Sequence, residues 1–168
     1  MSIGRETVPT GIFKEPVTGG MRAEREGFVG DEQADHSVHG GPFKAIYAYA
    51  SEDLAWWSRE LGRELAAGLF GENLTTEGID LGAAHVGDRW QVGTVELLVT
   101  QPRLPCYKFA ARMDDPRFLR RFAKALRTGL YLSVAVPGTI AVGDVITVTP
   151  DAAAPSIQDI AREILNVS

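Results

Sequence analysis

The apolar positions change period several times along the chain, and those changes mark out its elements. Phe43 to Tyr49 is an almost unbroken run of apolar and β-favouring residues, which predicts a buried strand. Met21 to Val29 alternates charged and uncharged residues and reads as another strand, and Thr7 to Val17 reads as a short strand pair around a turn. Between these, Gly30 to Pro42 is polar and glycine-rich and predicts a loop. From Ser51 to Ala67 the period becomes helical, with Leu54, Trp57, Leu61 and Leu65 on one face. Ser51 is the expected N-cap, Glu52 and Asp53 suit the positive end of the helix dipole, Gly62 weakens the interior and Gly68 ends it.

Phe70 to Gly78 predicts a polar turn. Val86 to Thr100 holds two strand-like runs with turn points at Gly87-Asp88 and Gly93. A second helix is expected from Asp115 as N-cap and Pro116 at the first helical position, ending at Gly129. Its inner face is Phe118, Phe122 and Leu126, and its outer face Arg117, Arg120, Arg121, Lys124 and Arg127. Tyr131 to Val136 and Ile140 to Val148 read as strands around a Pro137-Gly138 turn. After a linker, Asp151 to Pro155, a short amphipathic helix is expected over Ser156 to Val167, docking on its own domain or on a partner subunit. The expected organisation is a β-rich domain over residues 1–150, then a linker and helix over 151–168.

Composition narrows the function classes. The 168 residues suit one domain, and a hydrophobic share of 45% argues against disorder. A net charge of -5 argues against a general nucleic-acid binder, which relies on a basic surface. A single cysteine forms no internal disulfide, which suits a reducing compartment. No run approaches the roughly 18 apolar residues of a spanning helix and the N-terminus has no apolar leader, so a cytoplasmic protein is expected.

The candidate chemistry lies in three clusters. QPRLPCYK, Gln101 to Lys108, carries the one cysteine, Cys106, with Arg103 and Lys108 nearby and Arg112 further on. The thiolate is the nucleophilic and metal-binding form, and neighbouring cations favour it. Pro102 and Pro105 predict a stiff, extended loop. The plainer alternative is a small buried hydrophobe. DEQADHSVHGG holds Asp31, Asp35, His36 and His39, followed by Lys44. As a zinc site it is weak, but His39 and Lys44 could hold an anion while Gly40 and Gly41 let backbone approach it. In FGENLT, Asn73 and Thr75 either bond a heterocycle or simply cap a turn. His85 reads as a surface residue. No Walker loop, GxGxxG, GxSxG or paired-carboxylate signature is present.

Taken in order, GIFKEPV (11–17), GDEQAD and HGGPFKAIYAY (30–49), FGENLT (70–75), VGD (86–88), QPRLPCYK (101–108), and GLYLSV with a second VGD (129–144) resemble the MOSC family, in its small, stand-alone, bacterial YiiM-like branch. The resemblance implies a mainly β fold, a distorted barrel with a few helices. It implies binding of the molybdenum cofactor (molybdopterin), with Cys106 as the thiolate ligand to the metal and the catalytic residue. It implies Arg103, Lys108 and Lys44 balancing the cofactor's negative charge, and His39, Asn73 and Thr75 orienting the pterin or a substrate. At family level it also carries an association with pyridoxal phosphate binding. Related MOSC proteins reduce N-hydroxylated compounds with electrons from separate proteins, and one cysteine cannot hold a cysteine-ligated iron–sulfur cluster, so an electron-donor partner is implied. The alternative is a carrier that holds the cofactor, or a sulfur on Cys106, without redox turnover. A homodimer is a further expectation. Longer YiiM-like proteins continue into a C-terminal helical domain where this sequence has one helix, so roles tied to that extension are not carried over.

Overall fold

Strand β5 (Ile46–Ala50) is buried on both faces, and its two faces belong to two different cores. Ile46, Ala48 and Ala50 point into a sheet core, while Tyr47 and Tyr49 point into an aromatic core beneath the helices. A period of two with both phases apolar is what a strand covered on both sides requires. The computed structural model describes residues 18–30 and 41–167, together with strands β1 (Ser2–Ile3) and β2 (Glu6–Thr7), which pair with each other. Apart from Thr7, the expected strand pair over Thr7 to Val17 lies outside the described residues, as does most of the loop from Gly30 to Pro42.

Six strands form the main sheet in the order β11 (Ile146–Thr149), β7 (Arg89–Val92), β8 (Val95–Pro102), β9 (Leu130–Val136), β5 and β6 (Leu74–Thr76). Among the described residues, β5–β6 is the one parallel pair. Register shifts in β8 between Glu96 and Leu97 and between Val99 and Gln101 bend that strand, and the sheet curls into a half-barrel. A smaller sheet, β10 (Gly138–Ala141), β3 (Gly20–Glu24) and β4 (Gly27–Phe28), closes over the sheet core through Ala23, Phe28 and Ile140. Among the described residues the fold is therefore mainly β with four helices, one more than the three that the sequence marks out.

The helices are α1 (Ser51–Leu61), α2 (Tyr107–Met113), α3 (Phe118–Ala125) and α4 (Ile157–Leu165). Helix α1 stops six residues before the predicted end. Gly62 is left-handed (φ 63°), and its N–H bonds Arg59 O while Arg63 N bonds Ser58 O, so it caps the helix instead of weakening its interior. Ser58 Oγ then accepts from Leu65 N at 3.1 Å, which folds Leu65 back into the aromatic core. The N-cap is Ala50, one residue before the expected Ser51.

Helix α3 is likewise shorter than predicted. Asp115 Oδ1 accepts from Arg117 N and Asp115 O from Phe118 N, forming a turn ahead of the helix, and Leu126 (φ 52°) ends it before Gly129. Gly129 (φ 65°) serves sheet closure: a Cβ there would lie 2.5 Å from Ala48 O.

Other boundaries also move. Pro42–Lys44 is a 3-10 turn, so the buried strand begins at Ile46. The predicted turn over Phe70 to Gly78 contains β6, and Phe70 is fully buried. Met21 to Val29 is a hairpin, with Ala23 opposite Phe28, and not one strand. Ile140 to Val148 divides between two sheets at a turn where Asp144 Oδ2 accepts from Ala141 N.

Helix α4 begins at Ser156, whose Oγ accepts from Asp159 N at 3.1 Å. Ile157 enters the sheet core, and its N–H bonds Ala84 O at 2.8 Å, so the helix docks on this chain's own sheet. His85 is half-buried and bridges to Ser156, which makes it part of that junction and not a bare surface residue.

Candidate functional site

The segment predicted as one extended loop is a strand end, a four-residue bend and a helix start. Strand β8 runs to Pro102, and α2 begins at Tyr107 with Cys106 as its N-cap. Within the bend Arg103 turns inward and is only 5% exposed. Its guanidinium lies 3.9 Å from the ring centre of Phe109, 5.4 Å from Tyr47 and 5.7 Å from Phe122. These rings come from α2, β5 and α3. They favour the cation electrostatically, but a ring face accepts no conventional hydrogen bond. Among the described residues Arg103 Nη1 is shut off from solvent and has no hydrogen-bond partner. A buried cation with an unanswered N–H is costly unless an anion completes it.

Tyr131 of β9 completes this box. It pairs with Tyr47 across β5–β9 and with Gln101 across β8–β9, and the Tyr47 and Tyr131 rings are 5.3 Å apart. Burial pushes the Tyr131 phenol above its usual range, and Arg103 beside it opposes that shift. A Cys106 thiolate acts on the same phenol and raises it further, so Arg103, Cys106 and Tyr131 share one locus. Tyr47 is raised well above the phenol range, first by burial, with Arg103 again opposing, and its hydroxyl donates to Thr128 O at 2.8 Å. Lys44 Nζ lies 5.9 Å from the Tyr131 ring centre. Its 3-10 turn is tied down by Thr100 Oγ1, 2.6 Å from Phe43 O and 3.1 Å from Tyr131 O.

Cys106 is half-buried and packs on the edge of the aromatic core, and its carbonyl accepts from Phe109 N and Ala110 N. Lys108, the second residue of α2, is buried. Arg112 turns to the neighbouring loop, donating from Nε to Leu69 O at 2.6 Å and from Nη2 to Gly68 O at 3.5 Å.

That loop is organised by Glu72, which is buried and accepts from Gly68 N at 2.6 Å and Phe70 N at 3.0 Å. Burial raises its pKa, and the two N–H groups pull it back. Asn73 pins the loop to β5: its Oδ1 accepts from Tyr47 N at 2.8 Å, and its N–H donates to Tyr47 O at 2.9 Å. Thr75 is exposed on β6, with its hydroxyl 3.5 Å from Glu72 Oε1. Of the sequence-predicted residues, Arg103, Cys106 and Lys44 gather around Tyr131. Asn73 meets the same box from behind, through the backbone of Tyr47. His39, with Asp31, Asp35 and His36, lies outside the described residues.

Sequence reasoning missed Tyr47, Tyr131, Phe109, Phe122 and Glu72. Four of them stand inside or beside the quoted motifs and Phe122 lies on the inner face expected of the second helix, but only strand register and helix packing bring the rings together. Among the described residues no group of three His, Cys, Asp or Glu side chains could chelate a bare metal ion. One soft thiolate beside a buried guanidinium suits a different ligand, a metal that arrives with donors and negative charge of its own.

Three comparisons bear on this arrangement. A family model described as "MOSC domain" matches residues 35–147. Protein YiiM of Escherichia coli is 35% identical over 138 residues, which are 80% of this chain and 62% of YiiM, so the chain spans about three fifths of that relative's length. A protein of Gibberella moniliformis named "Reductase" is 33% identical over 144 residues, 83% of this chain and 26% of the fungal protein. The crystal structure of YiiM from Geobacillus stearothermophilus superposes with a TM-score of 0.81 at 30% identity, covering 98% of this chain and 78% of that one.

Proposed function

Given that the chain belongs to the MOSC domain family, we propose that it binds the molybdenum cofactor through Cys106 and Arg103 and reduces N-hydroxylated bases or related N-oxygenated compounds. The observation that carries this reading is the unanswered Arg103 Nη1 beside the one cysteine. The guanidinium is already desolvated in its aromatic box, so an anionic group arriving there gains a charge-assisted bond without a fresh burial cost. Cys106 supplies the soft thiolate donor, and Lys44 and Lys108 supply further positive charge. His39 and Thr75 stand as contacts for the pterin or substrate, and Asn73 fixes Tyr47, one wall of the box. When bound, the cofactor supplies a redox-active metal centre able to accept oxygen.

The overall conversion breaks an N–O bond, consumes two electrons and two protons, and yields an N–H compound and water. The electrons come from a partner protein in the cytoplasm. The fungal relative named as a reductase supports the reductive direction. The test is molybdenum and pterin content of protein from a cofactor-competent host, for wild type, Cys106→Ser and Arg103→Gln. Wild type should carry both, Cys106→Ser should lose metal, and Arg103→Gln should lose pterin. Wild type without molybdenum would sink the reading. Metal bound with no reduction of a hydroxylaminopurine, even with a strong reductant, would favour the carrier.

A further inference from the structure

The outer face of α3 carries Arg117, Arg120, Arg121 and Lys124 around one open surface depression. Asp115 answers only part of this charge: it lies 3.7 Å from Arg117 and 3.5 Å from Arg121. Arg121 is further held by donating to Glu60 O at 3.2 Å. Among the described residues no carboxylate pairs with Arg120 or Lys124, and both are exposed. This patch stands against the sign of the whole chain, whose net charge is -5.

The same helix reaches the candidate site from its other side. Phe118 and Phe122 are fully buried, and each ring centre lies 4.9 Å from that of Phe109. Phe122 and Phe109 are two of the rings around Arg103. The basic face is thus separated from the Arg103–Cys106 locus by little more than one helix thickness, about 10 Å.

We infer that the basic face of α3 is the docking surface for an acidic redox protein that delivers the electrons. This rests on the reductive reading above. A patch confined to one helix on an acidic chain fits an acidic protein surface and not a long polyanion, which the rest of the chain would repel. Oriented docking there brings a surface flavin or iron–sulfur group to the wall of the site. The donor is oxidised by two electrons per turnover, and the N–O bond of the substrate receives them with two protons.

The test uses the cofactor-loaded protein and the double variant R120E/K124E, whose two positions are exposed and outside the site. One electron source is a reduced acidic flavodoxin-type protein; the other is reduced methyl viologen, a small cation that needs no docking. For wild type, kcat/KM for the protein donor should fall as salt rises. For the variant it should drop about 10-fold or more at low salt and lose its salt dependence, while viologen-driven turnover stays unchanged. Wild-type behaviour of the variant with the protein donor would overturn the inference while leaving the reductive reading standing. Turnover with neither electron source in wild type would remove both. An anionic oligonucleotide or lipid vesicle that binds wild type but not the variant, with the protein donor unaffected, would assign the patch to another partner and overturn the inference.

Discussion

Replacing Arg103 with Met tests whether its box is built for a ligand or for the fold. Met keeps most of the side-chain length and volume and removes the charge. In the cofactor-free protein Arg103 is 5% exposed, its guanidinium faces three rings, and among the described residues Nη1 is unanswered. The favourable side is a side-chain hydrogen bond with Tyr131 and the ring contacts, of which the closest, on Phe109, is worth about 2 kcal/mol when desolvated, and the two beyond 5 Å less. The unfavourable side is desolvation of an incompletely paired cation, several kcal/mol, and buried charged groups replaced by apolar ones of similar volume have gained about 1–4 kcal/mol. Arg103→Met should therefore leave the cofactor-free protein as stable as wild type or more stable by about 1–3 kcal/mol. Urea unfolding reads this directly: with a slope near ~2 kcal/mol per molar, 1 kcal/mol moves the midpoint by about 0.5 M. The same variant should retain no pterin. A loss of more than about 2 kcal/mol in the cofactor-free protein would refute the argument, because it would make the guanidinium a satisfied structural hub.

Four further outcomes are expected. Asn73→Ala leaves the Tyr47 N–H without its side-chain acceptor and should cost about 1–3 kcal/mol in denaturant unfolding, with Asn73→Asp restoring most of it. Phe70→Ala removes a fully buried ring in contact with Tyr49, Trp57, Phe109, Phe118 and Phe122, and should cost about 3–5 kcal/mol by thermal or urea unfolding. Gly129→Ala puts a methyl against Ala48 O at a left-handed position and should cost more than about 1 kcal/mol, read the same way. The Gly78 N–H, 2.6 Å from Glu52 Oε1, holds the Glu52 carboxyl below its ordinary value of 4.5. A depressed folded value means that the contact stabilises fully above pH 4.5 and is lost as pH falls through the lower folded value, so unfolding midpoints of wild type and Glu52→Gln should converge in acid.

The sequence was most legible where one periodicity held over a whole element. The β5 run and the Leu54–Trp57 stripe of α1 both survive in the structure because local pattern and tertiary burial agree there. Helix ends were less legible. Gly62 is a tolerable interior residue by propensity, and only its left-handed backbone, with Leu65 turning back into the core, shows it to be a terminator. The site divides in the same way. Cys106 and Arg103 stand out in one short motif, but the cage around Arg103 is drawn from β5, α2, α3 and β9, between Tyr47 and Tyr131. No local pattern announces that Tyr47 and Tyr131 will be strand partners, or that Phe122 will reach a guanidinium nineteen residues before it.

The two-sided burial of β5 has a consequence for how this protein can change. The rings that wall the candidate site are also members of the aromatic core, so the same atoms serve recognition and folding. A substitution that carves space for a bulkier ligand at Tyr47, Phe109 or Phe122 draws on the stability reserve of the whole domain. On the proposed reading, variation in substrate range has its freest outlet at Phe43, Leu104 and Tyr107, which are exposed and adjoin Lys44, Arg103 and Cys106 in the chain. A library aimed at new substrates should randomise those three positions and hold the cage fixed.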